Sequence, residues 1–201
     1  MGFFNGFSSQ LARALVIGGA FFLVSCASTP PAATGIDQAT RKSPLGEQYR
    51  SDYVKAISDL DTQNFDQAST ALNRITTNNP GFVEGWANLS VAQLRAGNIS
   101  QAKQTANKAL KLEPQSATLY NLLGLISVES GAYKNAEQYY ARALQLNPEL
   151  ANAHFNLALL NDIYFQNIAK AIQHYEHYLA LINTADPDTE SWVAELKRNL
   201  N

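Results

Sequence analysis

Between Tyr120 and Pro148 the bulky, small and helix-ending positions fall at Tyr120, Leu123, Gly124, Gly131, Tyr133, Ala136, Tyr140, Ala143 and Pro148. The same pattern stands 34 residues earlier at Trp86, Leu89, Ser90, Gly97, Ile99, Ala102, Ala106, Ala109 and Pro114. Apolar side chains three and four apart form one face of a helix, so each period predicts two amphipathic helices. Small residues at Ser90, Gly124, Ala102 and Ala136 let the paired helices approach, where bulkier side chains would overpack. Gly97 and Gly131 suit helix ends, and Pro80, Pro114 and Pro148 discourage continuation of the preceding helix.

The pattern weakens at both ends. Upstream, Phe65, Ala68, Leu72 and Ile75 keep the second-helix register, but the bulky and leucine positions of the first helix fall on Asp52 and Lys55. A one-residue deletion before Phe65 is therefore expected, placing Tyr53, Ala56, Ile57 and Leu60 on one face. Downstream, His154, Leu157 and Ala158 open a fourth unit whose Ala171 and Tyr175 arrive one residue late, so its inter-helix turn is expected to have gained a residue. Tyr178 replaces the small Ala109 and Ala143, which should block docking of another unit. Asp186 and Pro187 then read as an N-cap and first-turn proline before a stripe of Trp192, Val193, Leu196 and Leu200, a capping helix.

A 34-residue period with these residue types resembles the tetratricopeptide repeat. The resemblance implies an all-α, right-handed solenoid of about four helix-turn-helix repeats (46–80, 81–114, 115–148 and 149–184) and a C-terminal cap at 185–201. It also implies that the first helix of each pair lines a concave face that takes a protein or peptide partner. The positions so implied are Ala87, Asn88, Val91, Leu94 and Arg95; Asn121, Leu122, Leu125 and Val128; and Phe155, Asn156, Leu159 and Asp162. Such a groove would be apolar with scattered amides able to bond a peptide backbone. An opposing expectation is that Leu125, Val128 and Leu159 simply pack against the C-terminal segment. A carboxylate clamp is not expected, since Asn88 has no basic companions at Thr118 and Leu122.

The first residues change the picture. Arg13 precedes an uncharged run of 11 residues, Ala14 to Val24, within the range of a signal-peptide core and too short to span a bilayer comfortably. Leu23, Val24, Ser25 and Cys26 resemble a bacterial lipobox, which implies cleavage between Ser25 and Cys26 and a lipid on Cys26, the only cysteine in the chain. Residues 1–25 are thus read as a signal peptide and 26–45, rich in Ala, Ser, Thr and Pro, as a tether. In the lipoproteins that this segment resembles, aspartate after the cysteine favours retention in the inner membrane, so Ala27 implies the outer membrane, periplasmic face.

Composition excludes more than it suggests. With 46% apolar residues, 16% charged residues and a formal charge of -2, there is no basic stripe for nucleic acid. No phosphate loop, GxGxxG or GxSxG motif appears, so neither a cofactor nor a small-molecule substrate is expected. His154, His174 and His177 all lie in the fourth unit, yet no HExxH or cysteine pattern completes a metal site, and none is expected. Lipobox plus repeats resembles envelope adaptor lipoproteins, including type IV pilus assembly and TonB-associated repeat proteins. A non-catalytic scaffold for an envelope complex is the function this implies. Docking regulation of cell-wall enzymes, and a metal-dependent or hydrolytic role for the three histidines, are the alternatives.

Overall fold

A computed structural model describes residues 45–200, all within one compact unit. The signal peptide, Ser25, Cys26 and nearly all of the tether lie outside the described residues. Helices α1 (Glu47–Asp61), α2 (Phe65–Asn78), α3 (Val83–Arg95), α4 (Ile99–Leu112), α5 (Ala117–Glu129) and α6 (Tyr133–Leu146) follow one another with short turns. Then come α7 (Ala151–Leu159), a π-helical turn (Leu160–Tyr164), α8 (Ile168–Leu181) and α9 (Pro187–Leu200). There is no strand among the described residues.

Consecutive helices pack antiparallel into pairs, giving an α-solenoid of four repeats closed by α9. The odd-numbered helices also touch the next odd-numbered helix, α1 to α3, α3 to α5 and α5 to α7, while the even-numbered helices have no comparable mutual packing. The stack therefore curves toward the odd-numbered helices, which line its inner side.

Its core is the set of small and branched positions that the period marks. Ala68, Leu72, Ala102, Ala106, Ala109, Ala136, Tyr140 and Ala143 are all buried. Ala109 admits the following repeat by packing with Val83 and Leu119. A close approach decides the third pair, because a Cβ on Gly124 would overlap the buried Tyr140 ring. Ser90 makes the same approach in the second pair and spends its hydroxyl on the Ala102 carbonyl at 2.8 Å.

Gly97 (φ 80°) and Gly131 (φ 73°) end their helices in the left-handed region. Each is followed by an amide that reaches back, Asn98 N–H to Gln93 O at 2.8 Å and Ala132 N–H to Ser127 O at 2.8 Å. Gln63 (φ 62°) occupies the same place in the first repeat, 34 residues before Gly97, with Asn64 N–H on Asp59 O at 2.7 Å. No residue is missing there, so the expected deletion is wrong. Ala56, fully buried, is the counterpart of Ser90, and Asp52 rather than Tyr53 is the counterpart of Trp86. Arg74 sits on Asp52 at 2.6 Å, which is why a carboxylate is tolerated at that position.

The extra residue of the fourth repeat is real but lies before the turn. Leu160–Tyr164 winds as a π-helical turn, and Phe165 N–H reaches Leu160 O at 3.1 Å. Gln166 (φ 52°) then takes the left-handed turn position 35 residues after Gly131. At the end of the array Tyr178 lies against Phe155 and donates its hydroxyl to Asp186 at 3.0 Å. Asp186 accepts from Thr189 N–H at 3.1 Å and caps α9, whose Val193 is buried while Leu200, the last of the apolar stripe, is exposed.

Candidate functional site

The inner face is assembled from one helix of each repeat, and its amides serve the fold first. Asn88 Nδ2 donates to the Tyr53 hydroxyl at 2.6 Å, and Asn156 Nδ2 donates to Asn121 Oδ1 at 2.9 Å. Each bond ties an inner helix to its predecessor at a 35-residue offset, so the two bonds are equivalent contacts in different repeats. Asn88 Oδ1 is buried without a partner among the described residues. Burial raises the Tyr53 hydroxyl above its ordinary pKa, the Asn88 bond opposes that shift and Glu84 adds to it.

The apolar positions divide by depth. Leu122 and Phe155 are buried, whereas Val91, Leu94, Leu125, Val128 and Leu159 are half-buried and Arg95 is exposed. Val91 and Leu94 pack between the second and third repeats with Ala106, Leu122 and Ile126. Leu125 and Val128 pack with Tyr140, Leu157, Leu160 and Phe165, so their support is the third-to-fourth repeat junction rather than the C-terminal segment. Asp162 stands half-buried in the π turn and receives the Tyr175 hydroxyl. Burial raises its carboxyl, the Tyr175 bond opposes the shift, and Glu195 of α9 adds to it.

Opposite this face, each outer helix lays one side chain over the bulky position of its partner. Arg74 pairs with Asp52, Lys108 Nζ lies 4.8 Å from the centre of the Trp86 ring, and Arg142 Cζ lies 5.9 Å from that of Tyr120. In the fourth repeat the corresponding pair is His177 stacked on His154, with ring centres 5.0 Å apart and planes 11° apart. The third member of each set changes too. Thr105 leaves part of a groove of about 400 Å³ beside Trp86, Tyr139 fills the equivalent space against Tyr120, and His174 fills it against His154. The three histidines thus form one cluster, which helical spacing alone did not bring together. The signal was present in the repeat register, which sets His154 on Trp86, His174 on Thr105 and His177 on Lys108.

Chemically, the inner face is a shape-and-amide surface. No group of three or more His, Cys, Asp or Glu among the described residues is placed to hold a metal ion. No helix among the described residues is long and apolar enough to cross a membrane.

Proteins of known structure share this architecture. Residues 53–102 and 89–151 match the family model described as the tetratricopeptide repeat. No curated protein sequence matches the chain significantly. Among solved structures, Pseudomonas aeruginosa PilF is 25% identical with a TM-score of 0.67, covering 76% of this chain and 69% of that one. MamA is 25% identical with a TM-score of 0.56, covering 68% and 74% respectively. A tetratricopeptide protein of Thermus thermophilus, TTC0263, is 21% identical with a TM-score of 0.66, covering 76% and 83%, a likeness of fold.

Proposed function

The helix pairs over residues 53–151 match the tetratricopeptide repeat, and from that likeness we propose that the protein is a non-catalytic adaptor or scaffold, lipid-anchored through Cys26 at the periplasmic face of the bacterial outer membrane. There it supports an envelope complex of the type IV pilus/secretin or TonB kind. The carrying observation is the inner face, where half-buried Val91, Leu94, Leu125, Val128 and Leu159 recur along successive inner helices beside buried amides. Half-buried apolar side chains already fixed by packing offer a partner contact area at little ordering cost. An apolar row of this kind suits one face of a helix or the alternate side chains of an extended segment. The likeness to PilF and MamA is compatible with a scaffold.

The lipid would confine the repeats to a surface and raise their effective concentration near other envelope components. Treated as flexible coil, roughly 19 tether residues reach about 25 Å from it. Photo-crosslinkers at Leu94, Leu125 and Leu159 in intact cells should capture envelope proteins, while outward-facing Lys103 and Gln138 should not. Capture confined to the outward positions would refute the inner-face reading. Cys26→Ala is expected to end incorporation of labelled palmitate and release the protein from the membrane fraction; unchanged fractionation would remove the anchor from the proposal.

A further inference from the structure

Three of the four repeats place a permanent cation over the bulky position of the inner helix, as Arg74, Lys108 and Arg142. The fourth places a titratable one, His177, over a titratable ring, His154, with a third imidazole, His174, between α7 and α8. We infer that His154, His174 and His177 form a proton-operated lock that holds the fourth repeat closed at neutral pH and loosens it on acidification.

The hydrogen bonds fix where each proton sits. His154 Nε2 lies 3.0 Å from the Pro148 carbonyl, which only accepts, so Nε2 carries the hydrogen. Trp86 donates its indole N–H to the Pro80 carbonyl in the same way at 2.8 Å, so His154 takes the place of an indole donor. The other nitrogen of neutral His154, Nδ1, is therefore bare and accepts from His174 Nδ1–H at 3.0 Å. His177 is pinned by Nδ1–H to the Gln173 carbonyl at 2.7 Å. Closure thus needs at least one of the two Nδ1 atoms bare. One added proton can be held between the rings if His174 moves its hydrogen to Nε2, but with both rings protonated two donors face each other and the ring pair must separate.

The surroundings oppose protonation. Burial lowers His154, with the Pro148 bond opposing and His177 adding. Burial first, then His154, His177 and Lys170 of α8, lowers His174 to about 4. No carboxylate among the described residues contributes to either shift. The charged group of this repeat that works the other way is Asp162 in the π turn, whose raised carboxyl takes up a proton more readily in the folded state.

The sign follows from proton linkage. Between about 4 and the ordinary histidine value near 6.5, the opened repeat binds more protons than the closed one. Closure is therefore fully favoured above about pH 6.5 and is lost as pH falls toward about 4. Opening would free α7, the last inner helix, from α8 behind it, so the C-terminal end of the inner face would lose that support. That last consequence rests on the inner-face reading; the lock itself does not.

Amide hydrogen exchange on the full-length protein, corrected for intrinsic rates, tests this without a partner. From pH 7.5 to 5 the opening constant of α8 amides around Ala171 and Tyr175 should rise about tenfold relative to α6 amides around Ala136 and Tyr140. The H154Y/H174Y/H177R variant installs the third repeat's own set, Tyr120, Tyr139 and Arg142, and should abolish that rise. A flat wild-type ratio, or a variant that still opens with acid, overturns the lock. Should the variant fail to fold, NMR titration of wild-type His174 decides: a midpoint near 4 supports the lock and one near 6.5 overturns it.

Discussion

Repeats three and four each bury one tyrosine of the outer helix against the inner helix, and they do so by different physics. In the third, Gly124 gives up its side chain and the Tyr140 ring occupies the space. In the fourth, the equivalent Ala158 keeps its methyl group. Tyr175 instead directs its hydroxyl to Asp162, with its ring 5.8 Å from Phe155 and 6.4 Å from Trp192. The π turn that absorbs the extra residue is what carries Asp162. Shape thus makes the Gly124–Tyr140 contact of the third repeat, whereas the equivalent closure of the fourth is made by polar groups and imidazoles, which makes it responsive to protons. The family match, ending at residue 151 where α7 begins, falls at the same boundary.

The comparison breaks most sharply at its glycine. Gly124→Ala should destabilise by about 2–3 kcal/mol, because its methyl group overlaps a buried ring. Ala158→Gly should lose about 1–2 kcal/mol, the helix-propensity difference plus one buried methyl group, and it creates no clash. Urea unfolding of both variants measures the asymmetry. In the G124A/Y140A double variant the two losses should be less than additive by about 1 kcal/mol or more, since the clash has gone. Additive losses would mean that ring and glycine do not define the third repeat.

A smaller effect is expected at the polar closure. Tyr175→Phe leaves the Asp162 carboxylate half-buried without its donor and should cost about 1–3 kcal/mol at pH 7. Because that bond holds the Asp162 pKa down against burial, its removal should raise the pKa further. Protonation then neutralises the stranded charge, so the stability gap between variant and wild type should narrow as pH falls through the Asp162 titration. A gap that stays constant with pH would show that Asp162 is not what the tyrosine supports. Asp186→Ala comes next, at about 1 kcal/mol, through loss of the α9 cap bonds to Thr189. It should appear as faster exchange of the first-turn amides of α9, with α6 unchanged.

Much of this was legible in the chain because tetratricopeptide architecture is written in small residues at a fixed period. Tyr178 as a stop, Asp186 as a cap and the odd residue count of the fourth repeat all follow from spacing. In the first repeat bulk is a misleading register marker, because it shifts Tyr53 onto the Trp86 position. The fully buried Ala56 is the better marker, since helix approach tolerates no larger side chain there while Asp52 needs only Arg74 beside it. For the extra residue, counting gives its existence but not its place, as a loop and a π turn absorb one residue equally well in sequence. The inner-face amides show a further limit. Sequence names Asn88, Asn121 and Asn156 as partner ligands, but cannot reveal that Tyr53 and the neighbouring repeat occupy them first.

The smallest effect concerns the turns that bracket the comparison. Gly131 follows α5 with φ 73°, while Gln166 follows the π turn with φ 52°, a left-handed conformation that a β-carbon disfavours. Gln166→Gly relieves that strain, worth about 1–2 kcal/mol, but frees the unfolded chain by about 0.4–1 kcal/mol. A net gain of about 0.5 kcal/mol is therefore expected, seen as slower exchange of Ile168 to Ala171 and a slightly higher urea midpoint. Gly131→Gln reverses both terms and should lose a similar amount in the third repeat. If Gln166→Gly destabilises instead, the glutamine side chain is holding the π turn in place, and the two turns differ in more than their backbone angle.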